Sequence, residues 1–258
     1  MTGFLLKKFL YDLWDNFFFI IALNIGFLLF LALIFLLLPV LPATGIILFF
    51  VLIYLLFVYL CTASSVLKDV SDYNRPNPMD LLINLKGSFL PAVVLFTVSV
   101  FVFCVLYFGV PFYLEVGGLA GLAAAFFSCW ICFFVLGAIQ FYPTVYFRLG
   151  MNPMKCLKKC AIILFDNTGF CLFVLLINTF LTILTLPFPG CPLLFLDEAL
   201  RLRLLKYDWL DARTAEQNNN SYEPGWRRIK IPWKELLDEE KEKTGKRTWK
   251  AFIFPWKE

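Results

Sequence analysis

The chain of 258 residues has no histidine, and only 16% of its residues are charged. Without histidine there is no imidazole base, no Ser-His or Cys-His dyad and no His-ligated metal. The shortage of charge, beside 60% hydrophobic residues, excludes a water-soluble globular domain, where roughly 25% of residues are charged. A net charge of +4, mixed in sign, is too small for a nucleic-acid surface. Glycine-rich phosphate loops and repeats at a fixed period are also missing. No catalytic set is visible, so the reading is a non-enzyme without cofactor or metal.

What is present is long apolar runs and one charged end. Residues 206–258 carry 22 of the 42 Lys, Arg, Asp and Glu side chains. The remainder is divided by runs at 17–38, 46–66, 88–108, 117–141 and 161–186, the last interrupted only by Asp166. The first run would span about 33 Å as a helix, against a hydrocarbon core of roughly 30 Å. Helices are required because every backbone polar group in lipid must be satisfied within its own segment. The expected fold is therefore all-α, a polytopic transmembrane bundle of five to six spans over 17–206 with a polar tail over 207–258.

A strict count gives five spans and leaves the tail outside. The segment 188–206, with Asp197, Glu198, Arg201 and Arg203, reads as a short polar sixth span. Asp197–Arg201 and Glu198–Arg201 have the spacing of local helical pairs, and Arg201, Arg203 and Lys206 can snorkel. Lys and Arg avoid 39–45 and 109–116 but occupy 67–87 and 142–160, and Lys7 and Lys8 precede the first run. The positive-inside rule then puts the N-terminus, both basic loops and, with six spans, the tail in the cytoplasm. Residues 1–16 read as an interfacial amphipathic helix, with Phe4, Leu5, Phe9, Leu13 and Trp14 opposite Lys7, Lys8, Tyr11, Asp12 and Asp15, or as an extension of the first span.

Leu41-Pro-Ala-Thr-Gly45 looks like a sorting signal but lies far from the C-terminus, and it reads as a hairpin turn. The run Leu38-Pro39-Val-Leu-Pro42-Ala-Thr44-Gly45, followed by Cys61-Thr-Ala-Ser-Ser65, resembles the YesL-like (DUF624) family of bacterial membrane proteins. Met79-Asp-Leu-Leu-Ile-Asn-Leu-Lys86 and Asn152-Pro153-Met-Lys155 are similar to that family's pattern. The resemblance covers roughly 4–210. It implies a compact bundle of about six helices in the bacterial cytoplasmic membrane, often associated with carbohydrate uptake systems. It supplies no catalytic residues.

Four groups of residues are candidates for function. Asp166 and Asn167, with Asn178 and Thr182 further on, form a candidate intramembrane polar site: a proton or cation relay, or a carboxylate paired with Arg148 or Lys158 near the interface. Asn24, Asn178, Thr179, Thr182 and Thr185 read as interhelical hydrogen-bonding groups or a polar seam. Gly117, Gly121 and Ala125 recur every four residues, as in close helix packing. Cysteines lie in or beside apolar runs and read as buried packing groups; Cys129-Trp-Ile-Cys132 lacks a basic neighbour, while Cys156 and Cys160 lie beside lysines as palmitoylation or oxidation candidates.

In the tail, 211–225 reads as a polar linker, and Pro232 and Gly245 bracket a helix supported by Glu239–Lys243 and Glu242–Lys246. Trp226, Trp233, Trp249 and Trp256 are interleaved with basic residues, a pattern suited to a membrane surface or a protein partner. The leading expectation is an accessory, scaffold or assembly protein whose tail binds a partner or the bilayer. The alternative is a transporter or permease component using Asp166 and the Thr/Asn seam.

Overall fold

The computed structural model describes residues 1–37, 45–150, 152–186, 188–219 and 231–245. Among these, every regular element is helical: α1 (Thr2–Asp15), α2 (Phe17–Leu37), α3 (Gly45–Ser71), α4 (Met79–Cys104), a π-helical stretch Val105–Gly109, α5 (Val110–Val116), α6 (Gly118–Ile139), α7 (Tyr142–Leu149), α8 (Pro153–Asp166), α9 (Thr168–Leu184), α10 (Gly190–Asn219), α11 (Trp233–Leu236) and α12 (Asp238–Thr244). Segments Phe17–Leu37, Ile47–Ser71, Met79–Val116 and Gly118–Leu149 are long and apolar enough to cross a membrane. The chain is an all-α, multi-pass membrane bundle. The turn at 38–44 lies outside the described residues.

The fifth run departs from a straight span. It divides at Asn167 into α8 and α9, bent by 104°, and the two are long enough to cross a membrane only when taken together. Asn167 closes α8 by donating its backbone N–H to the Ile163 carbonyl at 3.1 Å, while its φ of −136° takes it out of helical geometry. The local sequence Asp166-Asn-Thr-Gly169 has turn composition, and short polar side chains there compete with the helix ladder. The expected sixth span also differs. α10 is not among the helices apolar enough to cross, and it continues beyond 206 through part of the expected linker to Asn219.

Other boundaries moved outward. α3 runs to Ser71 and α4 starts at Met79, so Lys68 and Lys86 lie within helices and the connection shrinks to 72–78. The stretch 109–116, expected to be a loop, is helical, and the chain reverses only at Gly117 and Gly118. Their φ values of 70° and 65° suit glycine, which has no Cβ to clash.

Two compact units divide the chain: Phe18–Asp197, and Met1–Phe17 with Glu198–Glu258. In the first, Val58, Cys61 and Ala92 form a small-residue core against Tyr54, Phe57, Leu95 and Phe147. The whole run 61–65 is buried, so compact side chains bring α3 close to its neighbours. The Tyr59 hydroxyl donates to the Leu23 carbonyl at 2.6 Å, in space that a side chain at Gly26 would fill. Asn24 accepts at its Oδ1 from the Gly190 N–H at 2.9 Å, tying the first residue of α10 to α2. This bond satisfies one of the donors that a helix N-terminus leaves open.

The second unit joins α1, the later part of α10 and the tail helices. α1 buries Leu5, Lys8, Phe9, Tyr11 and Asp12. The buried stripe therefore runs through two charged positions, while Trp14 of the expected apolar face is half exposed. The reason is that Lys8 meets a buried acid, Glu198.

Candidate functional site

Charged side chains, scarce in this sequence, are drawn into two buried clusters. In the unit Phe18–Asp197, Arg148 at the end of α7 holds Asp197 of α10 through two guanidinium nitrogens, with Nε to Oδ1 at 3.1 Å. Its Nη1 donates to Asp72 Oδ1 at 2.9 Å. Ser71 completes the set, accepting from Arg148 and donating to Asp197. Asp197 is fully buried and Arg148 nearly so. The Lys68 ammonium donates to the Phe147 carbonyl at 3.2 Å, where the last carbonyls of α7 favour a cation. Three segments far apart in sequence, the end of α3, the end of α7 and the early part of α10, are thereby pinned to one point.

In the other unit, the Lys8 ammonium lies between two carboxylates, 2.5 Å from Asp12 and 2.7 Å from Glu198, with both Lys8 and Glu198 fully buried. Burial pushes the Glu198 carboxyl well above its usual range, and the neighbouring Asp12 adds to the rise, against the pull of Lys8. Arg201 forks onto Glu240 of α12 through Nε at 3.3 Å and Nη2 at 2.9 Å. The Arg203 guanidinium lies 5.3 Å from the centre of the Trp233 ring. α12 ends at Gly245 with φ of 78°, and Asp238–Lys241 pair at 2.7 Å on its surface. Gly3, Phe4 and Lys7 of α1 and Asp238, Lys241, Glu242, Thr244 and Gly245 line an open groove of about 810 Å³.

The local pairs expected from spacing inside α10 give way to these distant partners. Asp197 goes to Arg148, Glu198 to Lys8 and Arg201 to Glu240. Arg148, considered above as a partner for Asp166, is used by Asp197 and Asp72. A buried fork matches carboxylate geometry at both oxygens, which an exposed i,i+4 pair does not.

The candidate intramembrane site is spread along two helices. Asp166 is exposed at the end of α8, and Asn167 is buried beside it, its Nδ2 donating to Asp166 Oδ2 at 3.1 Å. Asn178 lies eleven residues beyond Asn167 in α9, about 16 Å along a helix. Its Oδ1 is buried and has no hydrogen-bond partner among the described residues. Thr179, Thr182 and Thr185 each donate at 2.8 Å to the carbonyl four residues back in α9. Each hydroxyl thus donates within its own helix, Thr185 also reaching the Phe188 carbonyl at 3.1 Å, and Thr179 and Thr182 are exposed.

Gly117 is exposed in the reversal between α5 and α6 and takes no part in a packed face. Gly121 is buried, and a Cβ there would collide with the Tyr113 carbonyl oxygen of α5. The close approach is therefore to the helix immediately before it in the chain. Ala125 is buried one turn further on. Cys156 and Cys160 are fully buried, which denies an acyl donor access, and no disulfide links the eight thiols. Of the tail tryptophans, Trp233 packs as described, whereas Trp226, Trp249 and Trp256 lie outside the described residues.

Sequence reasoning missed Lys8, Asp72 and Glu240. The signal was available in α1, where Leu5, Lys8, Phe9 and Asp12 share one helical stripe and two opposite charges sit four apart. Among the described residues no group of three or more His, Cys, Asp or Glu side chains is arranged to hold a metal ion. The chain matches no family model, no curated protein and no solved structure.

Proposed function

We propose that this is a non-enzymatic accessory or scaffold protein of the bacterial cytoplasmic membrane, and that its C-terminal segment is a folded docking module on the cytoplasmic face. The observation that carries the reading is the seating of α12: Glu240, almost fully buried, is gripped by Arg201 of α10. A tail serving only as a solvated appendage has no need of such an anchor. The groove between α1 and α12 offers Lys7, Lys241, Asp238 and Glu242 on its walls, which suits an extended peptide carrying both signs of charge.

The topology belongs to the same proposal. Four crossings return the chain at Arg148 to the side on which it began. Asp197 meets Arg148 and is only seven residues from the start of α10, about 10 Å of helix and far less than a 30 Å core. Asn24, bonded to Gly190, is likewise seven residues into α2. These equal rises support a bent α8–α9 pair that enters the bilayer and returns, leaving the tail on the N-terminal side. The distribution of Lys and Arg favours the cytoplasm for that side. The resemblance to the YesL-like family belongs to this reading, with a carbohydrate uptake system as one partner to try.

The test is site-specific photocrosslinking in cells, with the probe at the exposed Lys243 of α12 and, as control, at Leu119 on the α5–α6 hairpin. A discrete protein adduct from Lys243, reduced in a Glu240→Ala background, supports the docking module. Lipid adducts alone would contradict it. A second reading, a transporter component, is favoured by one observation: Asn178 Oδ1, buried within the second helix of the bent pair, has no hydrogen-bond partner among the described residues. Substrate flux into vesicles containing the purified protein, lost in Asn178→Leu, would support that reading instead.

A further inference from the structure

α8 presents two unlike faces. Cys156, Cys160, Ile163 and Leu164 are buried along one stripe. The opposite stripe is exposed and changes character along its length: Lys155, Lys158 and Lys159 come first, then Ile162 at 46% and Phe165 at 70% exposure. Among the described residues none of the three lysines makes an ion pair. From Lys158 to Phe165 the helix rises about 10 Å, comparable to the step from headgroup to acyl chain at a bilayer surface. Immediately after Phe165 the chain bends by 104° into α9, where Leu176, Phe180 and Ile183 are exposed.

We propose that this stripe is a binding site for anionic phospholipid, with the three lysines on the headgroup phosphate and Ile162 and Phe165 among the acyl chains. Charge complementarity selects an anionic headgroup over a zwitterionic one. The gradient from cationic to apolar along one exposed stripe selects a lipid over an acidic protein, which would leave Phe165 without a matching surface. A fixed helix end supports the arrangement: Asn152 Oδ1 accepts from the Met154 N–H at 3.4 Å, only four residues after Arg148 is locked to Asp197.

The experiment uses the full-length protein in neutral detergent with a fluorescent phosphatidylglycerol. Unlabelled phosphatidylglycerol is expected to displace it and phosphatidylcholine is not. The variant K155Q/K158Q/K159Q should bind on the order of 100-fold more weakly, since each lysine near an anionic surface contributes severalfold. K155R/K158R/K159R should retain binding, and K234Q/K243Q should leave it unchanged. Thermal unfolding of each variant verifies that it is folded. Equal displacement by phosphatidylcholine, equal displacement by a glutamate-rich peptide, or wild-type binding by the folded triple glutamine variant would each overturn the assignment.

Discussion

Arg148 and Asp197, 49 residues apart in the chain, meet in a buried two-pronged ion pair that also gathers Ser71 and Asp72. Removing one partner leaves a charge in a place where water cannot reach it. Asp197→Ala is expected to destabilise the folded protein by about 3–5 kcal/mol. The double replacement Arg148→Met with Asp197→Leu should cost less than Asp197→Ala alone, because both of the most deeply buried charges leave together and Asp72, which loses Arg148, is a quarter exposed. Chemical unfolding in detergent, followed by tryptophan emission, checks both.

Gly121 and Phe133 lie on the same helix but should respond unequally, the first strongly to enlargement and the second weakly to trimming. A side chain at 121 meets the Tyr113 carbonyl, a backbone atom that cannot swing aside, whereas Phe133 is 40% exposed. Gly121→Leu should cost at least about 1–3 kcal/mol through overpacking, and Phe133→Leu less than about 1 kcal/mol. Equal unfolding midpoints for the two would show that the α5–α6 approach contributes nothing to stability.

Glu198 supplies a pH dependence whose sign follows from its burial. Its folded-state pKa is raised above its unfolded value, burial being the main cause. Its contribution to stability is therefore fully present below the ordinary carboxylate range and is lost as pH rises through the folded value. Unfolding midpoints of the wild-type protein should fall across that interval relative to Glu198→Gln, which keeps an acceptor for Lys8 but carries no titrating proton. Parallel pH profiles would contradict the assignment.

The spanning helices were legible because lipid imposes a simple rule, long uncharged runs, and four of the five runs coincide with continuous helices. Their ends were less legible, since a helix such as α3 continues past the hydrocarbon once charges like Lys68 become affordable. The bend at Asn167 had a signal in Asp166-Asn-Thr-Gly169 that the surrounding hydropathy outweighed. Ion pairs were the least legible. Spacing within α10 favoured Arg201 for both neighbouring acids, but Lys8 reaches Glu198 across 190 residues of sequence. Only tertiary packing brings such partners together, and periodicity carries no trace of it. Asn24 illustrates the intermediate case: an interhelical role was readable from its place in a span, its partner Gly190 was not.

In the proposed topology the charged ends of the chain share one side of the membrane, where a docking module can form. Single cysteines placed at Arg75, Val116 and Lys243 in a cysteine-free background, labelled with an impermeant maleimide in intact and permeabilised cells, test it directly. Val116 is expected to label from outside, while Arg75 and Lys243 should label only after permeabilisation. Labelling of Lys243 together with Val116 in intact cells would contradict it.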